Sequence, residues 1–572
     1  MAKRIRKYIF VVGGVMSGVG KGIAASSIGR LLKDSGFKVT AFKIDPYINV
    51  DAGTMNPTEH GEVFVLEDGT ECDQDMGNYE RFLEENFSSK NYMTTGSVYL
   101  SVINKERNLE YQGKCVEVVP HIPLEVIQKI NNTLDSSKAE IALVEIGGTV
   151  GEYQNILFLE AVRILKLKFP KDVLLCLVSY LPLLNKDNEL KTKPTQYAVK
   201  TLNSAGLQPD IILGRAAFPL DDKRKEKIAF NCNLRKEDVF SAPDVGSIYQ
   251  VPLNFKKEGV DKVILEKLSL KRRVNLFGRW LKLTRKISSA QKKVSIGIVG
   301  KYFSSGAFVL ADSYISVIEA VKHAAFELGL KAEISWLDAS DFDETYHSSA
   351  EVRKNLEQLR IYQGIIVPGG FGSRATEGKI KVIEFARQKK IPFLGLCYGM
   401  QLAVVEFTRH LLGLKEANST EINPATPFPV IDILPEQKEK IREKKFGGTM
   451  RLGAWPAVIK EGTIAFRTYL QSKRFLLNSW EKRKLGVKEE QLVIKERHRH
   501  RYEVNPDYLE ALKKAGLIIS GISPSGRLAE IIELPQKAHP FFIGTQFHPE
   551  LTSWPLDPHP LFKEFIRVSA SL

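Results

Sequence analysis

Two α/β domains joined by a basic helical stretch are the fold class that the sequence predicts, on three observations. Short continuous apolar runs alternate with helix-like segments over the first part of the chain, to about residue 250, and strands buried on both faces belong to parallel sheets covered by helices. The same pattern restarts near residue 294. Finally, 572 residues exceed what a single core supports.

In the first half the candidate strands are 8–12 (YIFVV), 38–42 (KVTAF), 141–146 (IALVEI), 173–179 (VLLCLVS) and 210–214 (DIILG). In the second half they are 294–300 (VSIGIVG), 364–370 (GIIVPGG), 392–396 (PFLGL) and 541–547 (FFIGTQF), with a helical run over 313–330. The expected organisation is 1–270, a basic helical linker 271–293, and 294–572. Residues of about 468–491 (RTYLQSKRFLLNSWEKRKLGVKEE with its flanks) read as a basic, helical insertion, either a surface helix or an assembly contact.

Composition excludes several classes. Hydrophobic and charged contents of 43% and 26% are those of ordinary globular chains. No apolar run approaches the ~18 residues of a membrane span, so no membrane partner is expected. The basic N-terminus leads into an apolar stretch too short for a signal peptide. Five cysteines (Cys72, Cys115, Cys176, Cys232, Cys397) without a C-x-x-C pair argue against a disulfide framework or zinc site and for a reducing cytoplasm. The net charge of +15 fits nucleic acid or phosphate-rich small molecules equally. The densest basic segment, 256–293, comes with no nucleic-acid-binding motif. It reads as a solvated linker face, and no nucleic acid is expected.

Residues 9–27, IFVVGGVMSGVGKGIAASS, spell a strand, a glycine-rich loop, one lysine and a helix. The usual phosphate-loop pattern G-x-x-x-x-G-K-[ST] fails twice. Val15 stands where the first glycine belongs, and Gly22 follows Lys21 where Ser or Thr would ligate Mg²⁺. If the loop holds a nucleotide, carboxylates must replace that hydroxyl. Asp75 and Glu145, the latter at the end of an apolar strand, are the candidates, with Asp73 an alternative.

Residues 392–403, PFLGLCYGMQLA, place Cys397 between glycines after a strand, the pattern of a nucleophile elbow. The helix that follows favours a thiolate. FFIGTQFHPE supplies His548 as base and Glu550 to orient it, both turned the same way by strand alternation. Backbone N–H groups of Gly370, in VPGGFG, and Tyr398 are the oxyanion donors. His323 reads as structural, and the R-H-R-H-R run at 497–501 is on its own merely a charged face.

The motifs GLCYGMQ, PGGFG and QFHPE resemble class I glutamine amidotransferases, which hydrolyse glutamine through a thioester. The resemblance implies glutamine contacts from Gly370, Tyr398, Gly399, Met400, Gln401, Glu421 and Arg501. Over nearly the whole chain the sequence resembles the CTP synthase family, through KIDPYINVDAGTMNPTEHGEVFV, VEIGGTVGE, KTKPTQ, ANSTEINP, GGTMRLGA and ERHRHRYEV. It implies a P-loop-like, dethiobiotin-synthetase-like parallel-sheet synthetase domain ahead of the amidotransferase domain. The implied reaction is ATP-dependent amination of UTP to CTP, through UTP phosphorylated at O4.

By matching position, the resemblance assigns ATP to Gly18, Val19, Gly20, Lys21, Gly22, Ile23 and Asp75. Mg²⁺ goes to Asp75 and Glu145, with Lys43 by the phosphates. UTP or product CTP goes to Ser17, Glu152, Tyr153, Gln154, Lys191, Thr192, Lys193, Pro194, Thr195, Gln196 and Lys227, in part from a neighbouring subunit. His60 lies on the ammonia path. A homotetramer, CTP feedback inhibition and GTP activation are also implied. Gln154 departs from the acidic residue common in the family, so CTP contacts are expected to differ. Ala375 departs from its glycine beside Arg374, where a Cβ would restrict the backbone if a positive φ were required.

Overall fold

The computed structural model describes residues 5–53, 55, 61–183, 189–301, 304–305, 308–309, 311–433 and 450–572. The chain divides into two compact units. Unit 1 is Met1–Thr54 with Asp75–Arg285, and unit 2 is Met55–Gln74 with Lys286–Leu572.

Unit 1 is built on seven strands: β1 Lys7–Gly14, β2 Val39–Asp45, β3 Tyr92–Thr94, β4 Ile141–Thr149, β5 Val173–Tyr180, β6 Ile211–Ala216 and β7 Val239–Pro243. Their order is β3-β2-β4-β1-β5-β6-β7, and every neighbouring pair is parallel. The five strands expected from apolar runs are all present. Sequence reading missed β3 and β7, which are short strands at the two edges of the sheet. Helices α1 Lys21–Asp34, α2 Asp75–Leu83 and α3 Lys193–Ser204 carry the site residues onto this sheet. The segment read as a solvated linker face is solvated on one side only. Within its helix Gly278–Ser289, Trp280 is fully buried. Its indole N–H donates to Tyr249 O at 2.9 Å, and its ring packs on Phe82 and Tyr249.

Unit 2 holds a nine-stranded sheet: β8 Lys293–Gly300, β9 Lys331–Asp338, β10 Gly364–Val367, β11 Phe393–Leu396, β12 Arg451–Ile459, β13 Leu492–His500, β14 Ile518–Ile522, β15 Ala529–Glu533 and β16 Phe542–Thr545. The order is β9-β8-β10-β11-β16-β15-β14-β12-β13. The first five are parallel and the remainder antiparallel. Helices α4 Thr376–Lys389, α5 Tyr398–Leu411, α6 Ile464–Leu470, α7 Ser479–Lys484 and α8 Pro560–Ser569 belong to this unit. The hairpin Val63–Val65/Glu71–Asp73 is also part of unit 2.

The R-H-R-H-R run is no charged face. It spans the end of β13 and the residue after it, and Arg497, His498 and His500 are buried. Period-two alternation sorts the side chains. Arg497 Nη1 donates to Val65 O at 3.1 Å, and Arg499 Nε pairs with Glu71 at 2.8 Å, both on the hairpin. His498 Nδ1 lies 2.9 Å from His500 Nε2. Among the described residues, no helix is long and apolar enough to cross a membrane.

Candidate functional site

The glycine loop of unit 1 joins β1 to α1 through left-handed turns, with φ of 81° at Val15, 69° at Gly18 and 87° at Gly20, the residue capping α1. The first turn of α1 contains no acidic residue, so its N–H groups and dipole are presented to an anion. Lys21 folds back over the sheet. A Cβ on Gly13 would lie 2.8 Å from Lys21 Nζ, and that ammonium donates to Gly148 O at 2.9 Å. Burial holds the lysine pKa below its ordinary value, opposed chiefly by Glu145.

Gly22 explains the altered spelling of the loop. A Cβ there would lie 2.7 Å from Asp75 Cγ and closer still to Oδ1, so the Asp75 carboxylate occupies the space that a Ser or Thr side chain would need. Asp75 heads α2, whereas Asp73 lies in the hairpin of unit 2. Asp75 is ion-paired with Lys43, which also reaches Glu145 at 2.9 Å and Asp45 at 3.7 Å. Tyr79 donates its hydroxyl to Glu145. Burial pushes the Asp75 carboxyl up, but Lys43 and Lys21 outweigh it and hold the group below its ordinary value. Burial leaves Glu145 above its ordinary value.

Among the described residues, no group of three or more His, Cys, Asp and Glu is placed to hold a metal. Two converging carboxylates nevertheless fit Mg²⁺, which is commonly held by one or two carboxylates plus substrate phosphates and water. An ammonium already bridging them shows that the pair attracts a cation.

A cavity of about 210 Å³ opens beside Gly20. Ile23, Ala24, Val245, Ile248, Val251 and Phe255 make it apolar, and Arg215 and Asp244, paired at 2.8 Å, give it a polar edge. An apolar slot next to a phosphate loop suits a nucleobase. Sequence reading missed it. The available signal was SAPDVGS (241–247), a Pro-Asp turn after an apolar run.

The residues expected to bind pyrimidine nucleotide come from segments that adjoin. A Cβ on Gly151 would meet Thr201 of α3 at 2.9 Å, and one on Gly14 would meet Ala198 at 2.6 Å. Ser17 and Tyr153 are exposed, and Gln154 donates to Glu152 at 3.0 Å. Lys191 pairs with Glu189, whose carboxyl is also lowered by Lys227. Thr192 and Thr195 are buried at the start of α3, Thr195 accepting from Ser179 at 2.8 Å. Lys193 is exposed, with Pro194 and Gln196 half-buried. His60 lies outside the described residues.

In unit 2, Cys397 links β11 to α5 with φ 49° and ψ −99°, a strained conformation held by its surroundings. The flanking glycines are steric necessities. A Cβ on Gly395 would lie 2.9 Å from the Gly399 carbonyl carbon, and one on Gly399 would overlap Val367 O. Gly369 likewise leaves room for the imidazole of His548, whose Cε1 would sit 2.9 Å from a Cβ there. His548 Nδ1 lies 2.7 Å from Glu550 Oε1. The expected strand alternation does not bring these two together. β16 ends at Thr545, and His548 instead opens a single 3₁₀ turn, Pro549–Thr552, that folds Glu550 back.

Burial opposes charge on His548, but Glu550 and Cys397 outweigh it and hold its pKa well above the ordinary range. His498 and His500 also face this group and are kept neutral, first by burial and then by Arg451. Tyr398 is buried, its hydroxyl donating to Gly372 O at 2.9 Å. Gly372 N–H donates to Glu421 at 2.7 Å. Gln401 donates to Tyr502 O at 2.7 Å, next to Arg501. Burial raises the Glu421 carboxyl, opposed by the Gly372 N–H and by the charges of Lys301 and Arg501. Glu421 and Arg501 thus form a polar pair of opposite sign. Met400 is buried against Gly544.

Ala375 occupies the expected strained position. It has φ 51°, and its methyl is buried at the head of α4. The methyl did not exclude the left-handed backbone.

A family model described as CTP synthase N-terminus matches residues 7–270, and one described as glutamine amidotransferase class-I matches residues 309–568. A protein of Methanocaldococcus jannaschii named CTP synthase is 49% identical over 570 residues, covering 99% of each chain. One of Sulfolobus acidocaldarius, with the same name, is 47% identical over 565 residues, covering 99% of this chain and 100% of its own. A solved glutaminase domain of Trypanosoma brucei CTPS with bound acivicin is 32% identical, covering 49% of this chain and 94% of its own, with a TM-score of 0.41.

Proposed function

The chain belongs to the CTP synthase family of glutamine-hydrolysing ligases, and on that premise we propose how its residues divide the work between the two units. The observation that carries the synthetase half is the convergence of Lys21, Lys43, Asp75 and Glu145 on a helix N-terminus at the ends of parallel strands. ATP binds with its phosphates on the Gly18–Ile23 loop and Lys21 and its adenine in the apolar slot beside Gly20. Asp75 and Glu145 would hold Mg²⁺, which when bound would supply positive charge to offset that of the triphosphate. Ser17, Glu152 to Gln154, Lys191 to Gln196 and Lys227 bind UTP. Its O4 takes the γ-phosphoryl group, because a carbonyl oxygen leaves C4 only once it has become a phosphate.

Ammonia for C4 comes from unit 2. The Cys397 sulfur attacks the glutamine carboxamide, while His548 holds the proton and passes it to the departing nitrogen. N–H groups of Gly370 and Tyr398 donate to the developing oxyanion. Glu421 and Arg501 hold the amino-acid end of glutamine, supported by their opposite charges. His60 stands on the ammonia path.

CTP inhibits at the UTP site, with Gln154 altering the contacts made there. GTP activates unit 2. Exposed Phe371 and Arg374 support that reading, since together they offer a stacking face and a cation to a purine nucleotide. The active form is a homotetramer, supported by exposed Tyr153 and Phe230, 90% and 89% accessible.

The direct test supplies the purified chain with ATP, UTP, Mg²⁺ and either glutamine or ammonium chloride, reading the absorbance change between UTP and CTP. CTP is expected from both nitrogen sources. Its absence with both overturns the assignment. A pH test addresses His548. Its pKa is raised largely by Glu550 against burial, so Glu550→Gln lowers it. The imidazolium is then lost at lower pH, and the alkaline limb of the glutaminase kcat/KM profile moves to lower pH. An unmoved limb shows that Glu550 does not hold that charge.

A further inference from the structure

The catalytic carboxylate rides on a loop rather than on a regular element. Glu550 sits in the 3₁₀ turn Pro549–Thr552, and the chain then runs irregularly to α8 at Pro560. Backbone bonds hold part of it, His548 N–H donating to Arg497 O at 2.8 Å and Trp554 and Asp557 bonding to each other's carbonyls, and side chains add to that hold. From within unit 2, His323 Nδ1 lies 3.1 Å from Ser553 Oγ. Thr552 Oγ1 donates to Glu496 Oε2 at 3.3 Å, and Glu496 also accepts from Tyr469 at 2.8 Å.

Further support comes from the segment read in sequence as an insertion. Only its α7 part is a surface helix, with no buried residue. Ahead of α7, Phe475 is buried and Leu476 bridges to Ile494 of β13. Between them and the loop lies Arg474. Its Nη2 donates to Thr552 O at 2.6 Å and to Asp557 O at 3.1 Å. Its Nε lies 3.0 Å from Asp557 Oδ2. Its guanidinium stacks 3.8 Å from the centre of the Trp554 ring and 4.5 Å from that of Phe475. One planar fork thus ties together the two ends of the loop, two residues past Glu550 and five residues further on. Lysine could not reproduce that geometry, because its ammonium is a point donor without a stacking face.

We propose that Arg474, supplied by the inserted segment, is a positioning residue for glutamine hydrolysis, fixing the loop that holds Glu550 against His548. It touches neither substrate nor the reacting sulfur and acts through Glu550. This rests on the assignment of Cys397, His548 and Glu550 as the glutaminase centre. The consequence is selective. Loosening the loop weakens the hold on the imidazole while leaving Glu421 and Arg501 in place, so kcat falls and the KM for glutamine does not.

The test uses the full-length chain with Arg474→Met, which keeps apolar bulk over Trp554 but removes the fork, beside Arg474→Ala and Arg474→Lys. A catalytic group displaced by 1 Å costs about 100-fold. A loosened loop is expected to cost about 10-fold in glutaminase kcat for Met and Ala, with KM unchanged and partial recovery in Lys. The alkaline limb of the pH profile should move to lower pH, a shift that simple loss of folded protein would not produce. Ammonia-driven CTP formation should stay at the wild-type rate. Wild-type kcat in Arg474→Met, or equal loss of glutamine- and ammonia-driven synthesis, overturns the proposal. If Arg474→Ala does not fold, the Met and Lys variants decide it alone. Wild-type chain without glutaminase activity overturns the underlying reading and this proposal with it, whereas an active wild type with an unaffected Arg474→Met overturns this proposal alone.

Discussion

Cys397→Ala is expected to lower glutamine-driven CTP formation by about 10⁴-fold or more, the scale on which removing a covalent nucleophile acts, while ammonia-driven synthesis continues. The backbone makes the variant clean. The strain at Cys397, φ 49° and ψ −99°, is imposed by β11, α5 and the glycines whose missing Cβ atoms let Val367 approach, and alanine inherits it unchanged. Apart from its hydrogen bond with His548, the thiol's contacts are weak, 3.8 Å to Arg499 O and 3.8 Å from the Gln546 amide. Losing the sulfur therefore removes chemistry rather than packing. His548 responds in a predictable direction. Cys397 is one of the two groups that raise its pKa, so the imidazole of the variant titrates lower than in the parent. Measuring ammonia release and CTP formation side by side checks the result. Parallel loss of both activities would make Cys397 a structural residue and reopen the assignment of unit 2.

What could be read in advance follows a physical pattern. Strands buried on both faces announce themselves as apolar runs, which is why YIFVV, IALVEI and VLLCLVS lie inside β1, β4 and β5. The antiparallel half of unit 2 carried no such mark. β13, LVIKERHRH, reads as polar because its charges are satisfied by partners more than 400 residues away, Val65 and Glu71 for Arg497 and Arg499. No local window holds that information. The triad was legible because elbow geometry demands glycines at fixed offsets. The reason His548 meets Glu550 was not, since a 3₁₀ turn rather than strand alternation does it. The nucleobase slot escaped for a third reason. Its walls come from α1, Arg215 of β6, the end of β7 and the residues after it, and only the fold assembles them. The inserted segment showed its basic character in sequence, but Arg474 gains meaning only from the carbonyls of Thr552 and Asp557.

Gly22→Ser, which restores the ordinary phosphate-loop spelling, is expected to impair rather than improve synthesis. Intrinsic propensity alone favours the change, because Gly inside a helix costs roughly 0.5 kcal/mol relative to Ser. Sterics oppose it. The new Cβ would lie 2.7 Å from Asp75 Cγ, and α1 and α2 pack too closely for the backbone to yield cheaply. The collision is relieved by turning the Asp75 carboxylate aside, which breaks its pair with Lys43 and separates it from Glu145. Misplacing one preorganised charge in such a site costs about 10²–10³-fold. Both glutamine- and ammonia-driven CTP formation should fall by that amount, with glutaminase activity retained because unit 2 is untouched. The thermal midpoint should change little, since the cost falls on the carboxylate and not on the core. Mg²⁺ titration of the ammonia-driven reaction separates two explanations. Recovery at high Mg²⁺ means that the carboxylate pair has lost affinity for the ion, whereas no recovery means that ATP itself is misplaced. Wild-type turnover in Gly22→Ser would show that the loop accepts a hydroxyl and that Asp75 is not its replacement. The two departures from the usual spelling then differ in kind. Val15 reaches the left-handed turn without glycine, at φ 81°, so a side chain is tolerated there, whereas at Gly22 the missing side chain makes room for the acid.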